Sequence, residues 1–507
     1  MSINQSMNIA LGSMKNNQYA LSVVSHNIAN LNTDGYHRQR VDFSESRYTT
    51  SCSTAYDTIR GMCGSEISSL SGFIDNGVFN DLIDKNADAK YYDTLSGVLG
   101  DLEGITDELG ENGLGALLNE FYTAASNLEK YPTDVSIRQQ FLLAAENVCD
   151  RFNYASDKLG KLEIQNYENV QSNLSTINSL AENLAEANLT HVTNNQSDAT
   201  KSTIDNILSE LSNYVNVSTK TNPNGSVNLY IGGVEVVQGT EVKNTLECSF
   251  DESQNPPLSI YLKSTDGSGT VSANISDQIS AGSLRAYNDV LNGSASKITS
   301  FSDIQGVIDK AAAAFGNALN DIQTYSNGTE YAAYITADAD GNKILAKPST
   351  TNLITTKDGS STINALNIQV NPAMDNDPFL VAAARIDTSQ YSGDEWKKAI
   401  GNSSNAAEFS ALRNAKIVDY DNGIKVTLSD YLVSNASKVG MDASNTADKA
   451  DLYQDLADSA AANYSNLIGV NLDEELADMI KYQRSFEASA RVFAAANSIM
   501  ETILNMV

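Results

Sequence analysis

The chain has 507 residues, of which 41% are apolar, and these values predict a folded protein of two to four domains. Its 33 basic and 63 acidic residues give a net charge of −30, which disfavours nucleic acids and anionic membranes as partners because both are negatively charged. No apolar run approaches the ~18 residues of a membrane span, and the first residues lack the pattern of a cleaved secretory signal, so we expect neither.

The first thirty residues carry apolar side chains at alternating spacings of four and three, which predicts a coiled-coil helix. The apolar stripe is narrow, so we expect this helix to be marginally stable alone. A turn motif of Asn30, Thr33, Gly35 and Tyr36 follows, in which Gly35 can close the helix in a left-handed conformation. The principal apolar residues of this N-terminal seam are Ile3, Met7, Met14, Leu21, Val24 and Ile28.

The middle of the chain alternates between helical and β patterns. Helical spacing dominates from about residue 86 to residue 214, over 301–325, and again after Trp396. Alternating apolar residues on both sides of Gly232 and Gly233 are typical of a β-hairpin. Residues 329–372 combine short apolar runs with turn sequences, which predicts short strands.

A second seam occupies the C-terminal end, and a long helix at each end predicts that the two ends pair. Polar residues in these seams, Asn17 in the first and Gln483 and Asn497 in the second, weaken a coiled coil but fix its register. The principal apolar residues of the C-terminal seam are Leu472, Leu476, Met479, Phe486, Phe493, Met500 and Leu504. Because neither stripe buries much apolar area alone, we expect both ends to lack stable structure in an isolated monomer.

Together these patterns predict a mainly α protein with β-rich inserts (α+β). A discontinuous terminal coiled-coil domain is expected over 1–45 and 470–507. A helical-bundle body is expected over 46–328 and 373–469, with a β-hairpin region near 216–270. A small β-rich outer insert is expected over 329–372.

The sequence supplies no catalytic, cofactor-binding or metal-binding pattern that we can name. Its three histidines show no metal-ligand spacing. Glu474 and Glu475 lie in the first turn of a predicted helix, where carboxylates offset the exposed N–H groups. Two Asp-rich turns, at 338–341 and 419–423, lack the spaced Glu that completes a calcium loop. We therefore expect neither an enzyme nor a cofactor. The histidines are His26, His37 and His191.

The four cysteines, Cys52, Cys63, Cys149 and Cys248, are scattered and form no CxxC pair. We expect free thiols, with Cys52–Cys63 as the one short-loop disulfide to consider. Cysteine usage therefore does not decide between a cytoplasmic and an exported protein.

Several segments resemble a known family. The N-terminal sequences NIAN at 27–30 and TDGY at 33–36 resemble the signature of flagellar rod, hook and hook-associated proteins. The C-terminal sequences GVNLDEEL at 469–476 and ASARV at 488–492 are most similar to the hook-associated members. Internal segments at 132–152, 170–184 and 371–384 agree, so the resemblance spans most of the chain.

The resemblance implies a structural component of the bacterial flagellum that joins hook to filament through axial helical assembly of its terminal helices. It implies four kinds of partner: head-to-tail copies of itself, the hook protein, a second junction protein on the filament side, and an export chaperone bound to the C-terminal seam. It also implies export through the flagellar type III apparatus without a cleaved signal, and an extracellular location.

Three alternatives remain open at this point. A flagellar hook or distal rod protein would share the N-terminal motif. A secreted enzyme carried on flagellar ends would need a catalytic constellation that the sequence does not offer. An acidic coiled-coil scaffold unrelated to flagella would have to produce both terminal motifs by chance.

Overall fold

The structure is a computed structural model, and it describes residues 3–31, 33, 36–47, 62–72, 76–107, 113–194, 198–251, 257–267, 270–293, 298–421 and 423–505. The α-helices of this described part are α1 Ile3–Ala29, α2 Asn76–Asp107, α3 Leu114–Lys130, α4 Val135–Thr193, α5 Asp198–Ser212, α6 Ser283–Asn292, α7 Phe301–Gln323, α8 Pro372–Asn376, α9 Ser404–Ala411, α10 Leu428–Ile468 and α11 Leu472–Leu504. The prediction of a mainly α protein with β-rich inserts is confirmed.

The strands pair antiparallel throughout the described residues and form small separate sheets. They are β1 Gln39–Arg47, β2 Met62–Gly72, β3 Val217–Thr221, β4 Val227–Ile231, β5 Val234–Gln238, β6 Glu241–Val242, β7 Asn244–Phe250, β8 Leu258–Ser264, β9 Val271–Asn274, β10 Glu330–Ala337, β11 Lys343–Ala346, β12 Ile354–Thr356, β13 Ile368–Val370, β14 Ala384–Asp387, β15 Val418–Asp421 and β16 Ile424–Val426.

The two ends of the chain form a unit of two helices and a hairpin, which we call the terminal coil (α1, α11, β1 and β2). α1 and α11 pack against each other along most of their length. The β1–β2 hairpin lies on another side of α1, where the Asn16 amide donates to the Ser65 carbonyl oxygen at 2.6 Å. Ala20, Val23 and Val41 form a small apolar core between the helix and the hairpin.

The helical body is built around α4, whose 59 residues extend about 88 Å at 1.5 Å per residue. This helix begins after Asp134, whose carboxylate accepts hydrogen bonds from two backbone N–H groups of the first turn. Aromatic side chains hold the neighbouring helices to it: Phe121 of α3 lies 5.2 Å from Phe141 of α4 and 5.3 Å from Phe315 of α7, between ring centroids.

Two sheets, β3–β6 and β7–β9, lie beside the distal half of α4, and two asparagines of that helix fasten them. Asn188 bonds to both backbone groups of Val227, and Asn178 bonds to both backbone groups of Leu246, at distances of 2.8–2.9 Å. The strands occupy 217–274, so the β-rich stretch continues slightly beyond the predicted 216–270.

The outer β unit is divided differently from the predicted insert at 329–372. Strand β14 lies beyond residue 372 and completes the sheet in the order β11–β10–β14. A small core of Ile335, Leu345, Ile386 and Trp396 supports this sheet. Strands β12 and β13 instead pack into the main core of the body. Pairing between distant strands sets this boundary, and such pairing leaves no local signal in the sequence.

Cys149 is a buried free thiol and Cys248 a half-buried one. Cys52 and the side chain of Cys63 lie outside the described residues, so the disulfide considered between them stays a prediction. Within the described part of the chain, no helix has an apolar stretch long enough to cross a membrane.

Candidate assembly site in the terminal coil

α1 meets α11 along a line of small and polar side chains. The hydroxyl oxygens of Ser13 and Ser489 lie 2.9 Å apart, and the Asn27 amide donates to a Glu475 carboxylate oxygen at 3.0 Å. Residue numbers rise along α1 as they fall along α11, so the two helices are antiparallel. Spacings of three and four residues place the intervening buried positions on the same face of α1. The buried residues of this line are Ala10, Asn17, Ala20, Val24 and Asn27.

The predicted N-terminal seam consists of two rows of residues along α1, and one of these rows coincides with this line. Val24, on the shared row, is buried. The residues of the other row lie one position beyond residues that face α11, and they are only half-buried, as is Ile3. They are Met7, Met14, Leu21 and Ile28. The closest approach to α11 uses Ser13, Ala20 and Asn27 in their place. A hydrophobic pattern favours the larger side chains, but the closest packing of two helices needs the smaller ones.

In the C-terminal seam, too, the most buried residues are not the large apolar ones that the sequence predicted. All residues of α11 are described, and the buried ones are Glu475 and Ala496. Of the predicted residues, Met479, Phe486, Phe493 and Met500 are half-buried on this face, while Leu472, Leu476 and Leu504 are exposed. A glutamate at a seam position has no apolar signature, so the sequence pattern missed it.

The pairing of the two helices leaves a row of large apolar side chains in contact with solvent. These side chains form two groups, one over 472–480 and one over 492–504, and exposed apolar groups of this kind mark surfaces that another helix can cover. The exposed apolar residues of α11 are Leu472, Leu476, Ile480, Val492, Ile499, Ile503 and Leu504.

A buried network of hydrogen bonds lies at the end of the terminal coil that is nearest the body. The Asn27 amide nitrogen also donates to the Gln39 carbonyl oxygen at 2.9 Å. Its amide oxygen accepts from the Tyr36 hydroxyl at 2.8 Å and from the Gln39 N–H at 3.1 Å. This single side chain therefore joins α1, the segment that follows it, and α11 through Glu475.

Arg38 supplies the cation of this network. Its Nε donates to Glu475 at 2.6 Å and its Nη1 donates to Glu474 at 2.5 Å. Burial lowers the pKa of the Arg38 guanidinium, but its hydrogen bonds and charge interactions with the two carboxylates outweigh burial and raise that pKa overall. The guanidinium therefore stays charged over the whole physiological pH range.

His37 connects the same segment to the body. Its Nε2 lies 3.2 Å from the Tyr464 hydroxyl of α10 and 3.7 Å from a carboxylate oxygen of Asp205 in α5. Asp205 is buried and pairs with Lys201 one helical turn away. Burial raises the pKa of Asp205, and the neighbouring Lys201 ammonium opposes that shift.

The predicted turn motif lies beside this network. The Asn30 side chain donates to the His26 carbonyl oxygen at 2.9 Å, and the Thr33 N–H donates to the Asn30 carbonyl oxygen at 3.0 Å. Tyr36 reaches back to Asn27 as described above. Gly35, the predicted left-handed residue, lies outside the described residues.

Among the described residues, no group of three or more His, Cys, Asp and Glu side chains is placed to hold a metal ion. His26 is exposed at the end of α1, whereas His37 and His191 both lie near the buried Asp205, and the Nδ1 of His191 is 2.6 Å from the Thr200 hydroxyl. Glu474 and Glu475 serve as partners of Arg38.

Three segments of the chain match models of protein families that build the bacterial flagellum. Residues 7–37 match the family model described as flagella basal body rod protein. Residues 462–506 match the model described as flagellar basal body rod FlgEFG protein C-terminal. Residues 99–331 match the model described as flagellar hook-associated protein FlgK helical domain.

Curated relatives extend the match to nearly the whole chain. Flagellar hook-associated protein 1 of Bacillus subtilis is 24% identical, covering 96% of this chain and 95% of its own length. The protein of the same name from Salmonella typhimurium is 23% identical over 99% of both chains. The chain belongs to the family of flagellar hook-associated protein 1 and is a structural component of the bacterial flagellum.

A solved structure with a similar fold is described as the flagellar hook junction protein FlgK from Burkholderia pseudomallei. It aligns with a TM-score of 0.58 at 14% identity, covering 76% of this chain and 99% of that one. The family models and the curated relatives confirm the predicted membership of the flagellar rod, hook and hook-associated family, and this solved structure has a similar fold.

Proposed function

We propose that this chain joins the flagellar hook to the filament, and that its terminal coil assembles head to tail with identical coils into a helical layer. The observation that carries the proposal is the exposed apolar row of α11. Pairing with α1 leaves Leu476, Ile480, Val492 and Ile499 in solvent, so the coil has unused apolar patches that neighbouring copies can cover.

The composition of the coil supports the same proposal. The line between α1 and α11 consists largely of small or polar residues, such as Ser13, Ala20 and Ala496, while larger apolar residues lie at its edges. Such a pair buries little apolar area by itself, and contacts between subunits would add what is missing. The body extends away from the coil and need not enter the axial contacts.

The proposed layer has two ends, and each end would contact a different flagellar protein. One end would contact the hook protein, and the other a second junction protein on the filament side. Before assembly the apolar side chains of α11 need protection, and a helical export chaperone with an apolar groove fits anchors at the spacings of the predicted C-terminal seam. We propose that this chaperone binds Leu472, Leu476, Met479, Phe486, Phe493, Met500 and Leu504.

The proposed location is the extracellular flagellum, at the hook–filament junction, reached through the flagellar type III export apparatus without a cleaved signal. We also propose that the role is purely structural rather than enzymatic, because the curated relatives are named as hook-associated proteins.

A second candidate is a hook or distal rod protein, which the two family models at the chain ends favour by their descriptions. Deletion of the protein separates the two. The junction role predicts cells with complete hooks, no filaments, and monomeric flagellin in the medium. The hook or rod role predicts cells without hooks. Motile cells with intact filaments would contradict both.

A further inference from the structure

The body is connected to the terminal coil by a three-residue link between α10 and α11, which we call the elbow. α10 ends at Ile468 and α11 begins at Leu472. The Gly469 N–H donates to the Ser465 carbonyl oxygen at 2.7 Å, and a Cβ atom at Gly469 would lie 2.3 Å from that same oxygen. A Cβ atom at this position would therefore force the backbone to shift, which favours glycine in the short link between the two helices.

Arg38 bridges this elbow from outside both helices. Its backbone N–H donates to the Ile468 carbonyl oxygen at 2.8 Å, at the end of α10. Its guanidinium bonds to Glu474 and Glu475, in the first turn of α11. One residue thus holds the last turn of the body helix and the first turn of the coil helix at the same time.

The chemistry of Glu475 makes this bridge specific. The side chain is only 2% exposed, and two donors face it: the Nε–H of Arg38 and the amide of Asn27. A carboxylate offers an acceptor oxygen to each donor, whereas an amide of the same shape would leave one donor facing another N–H group.

The charges around the elbow also require the guanidinium. The first turns of α11 carry Glu474, Glu475 and Asp478, and the Arg38 guanidinium lies 2.5, 2.6 and 4.0 Å from these three carboxylates. Without it the carboxylates would repel one another, and Glu475 would be a buried charge without a cation. The planar fork of arginine suits two carboxylates at once, which a lysine ammonium cannot match.

We propose that Arg38 is a positioning residue that fixes the angle between the body and the terminal coil. It does so by clamping the two sides of the α10–α11 elbow. The inference concerns a single subunit and does not depend on which axial position the protein takes in the flagellum.

Although the sequence alone predicts unstructured ends, α1 and α11 pair within one chain, so the test measures the distance between coil and body in the full-length monomer. Spin labels are attached to cysteines at two exposed positions, Ser498→Cys of α11 and Gln165→Cys of α4. The native cysteines are replaced in all these proteins. Arg38→Gln is compared with the unaltered arginine and with Arg40→Gln, an exposed arginine two residues away. We expect Arg38→Gln to broaden the distance distribution at least about twofold, and Arg40→Gln to leave it unchanged.

Two further variants keep the test decisive if Arg38→Gln disturbs folding. Glu475→Gln leaves Arg38 in place and should broaden the distribution similarly. Arg38→Lys should give an intermediate width, because one ammonium cannot hold both carboxylates. The proposal is overturned if all Arg38 and Glu475 variants keep the unaltered width. It is equally overturned if the unaltered chain is already as broad as the variants.

Discussion

The hydroxyl oxygens of Ser13 and Ser489 lie 2.9 Å apart, although they belong to opposite ends of the chain. Two helices can approach so closely only where their facing residues are small. Ala496, one heptad further along α11, is such a residue and is 8% exposed. The terminal coil is therefore held by close packing of small residues as much as by large apolar ones.

We expect Ala496→Leu to weaken the pairing of α1 and α11 by about 1–3 kcal/mol, because a larger side chain there forces the helices apart. Faster amide exchange along α1 would report this loss. The matched control is Ala495→Leu, at the adjacent exposed position of the same helix, which should leave α1 unchanged. Equal exchange in both variants would show that Ala496 does not lie at a tight contact.

Charges introduced near the end of α11 should distinguish its contact with α1 from its proposed contacts with other subunits. Met500 is half-buried towards α1, while Leu504 is 70% exposed. We expect Met500→Asp and Leu504→Asp each to abolish incorporation into the flagellum, since an assembled layer would bury an unpaired charge. Only Met500→Asp should also accelerate amide exchange in α1 of the monomer, and the melting temperature of the body should hardly move in either variant. Normal incorporation of Leu504→Asp, matched by the exposed control Ser498→Asp, would contradict the assembly role of the apolar row.

The body should lose stability in alkali through Tyr122. Burial raises the pKa of this phenol to about 12 from an ordinary 10, and the nearby Arg413 guanidinium opposes the shift. The unfolded chain therefore releases the proton first. Stability from the neutral phenol is complete below pH 10 and is lost as the pH rises towards 12, by about 2–3 kcal/mol for a shift of this size.

We expect Tyr122→Phe to remove that part of the pH dependence, so its unfolding free energy should exceed that of the unaltered chain progressively between pH 10 and pH 12. Chemical unfolding at several pH values measures the difference. Tyr131→Phe, at a mostly exposed tyrosine, is the matched control and should follow the unaltered chain. Parallel pH profiles for all three proteins would refute the assignment.

Removal of residues 472–507 should abolish chaperone binding and assembly together, because both proposed partners use apolar side chains of α11. Titration of the purified export chaperone against the full and truncated chains measures the first effect, and complementation of a deletion strain measures the second. Tight chaperone binding by the truncated chain would show that the anchor lies elsewhere.

The sequence by itself determined the helical ends, their heptad spacing, and the hairpin at Gly232 and Gly233. These features are local, since backbone preferences and apolar periodicity act within a few turns. The seam positions Asn17 and Val24 were visible for this reason. The family was also visible, because the sequences at both ends are specific to it.

Only the tertiary structure decided which side chains close the coil. Ser13, Ala20 and Ala496 are too small to signal a core by hydrophobicity, and Glu475 is charged, yet these residues lie where the helices meet. Their places depend on contacts with groups hundreds of positions away, above all the pairing of Glu475 with Arg38. The same holds for β14, which joins the outer sheet through a partner strand about fifty residues earlier. Such contacts depend on the folded chain, since no local preference specifies them.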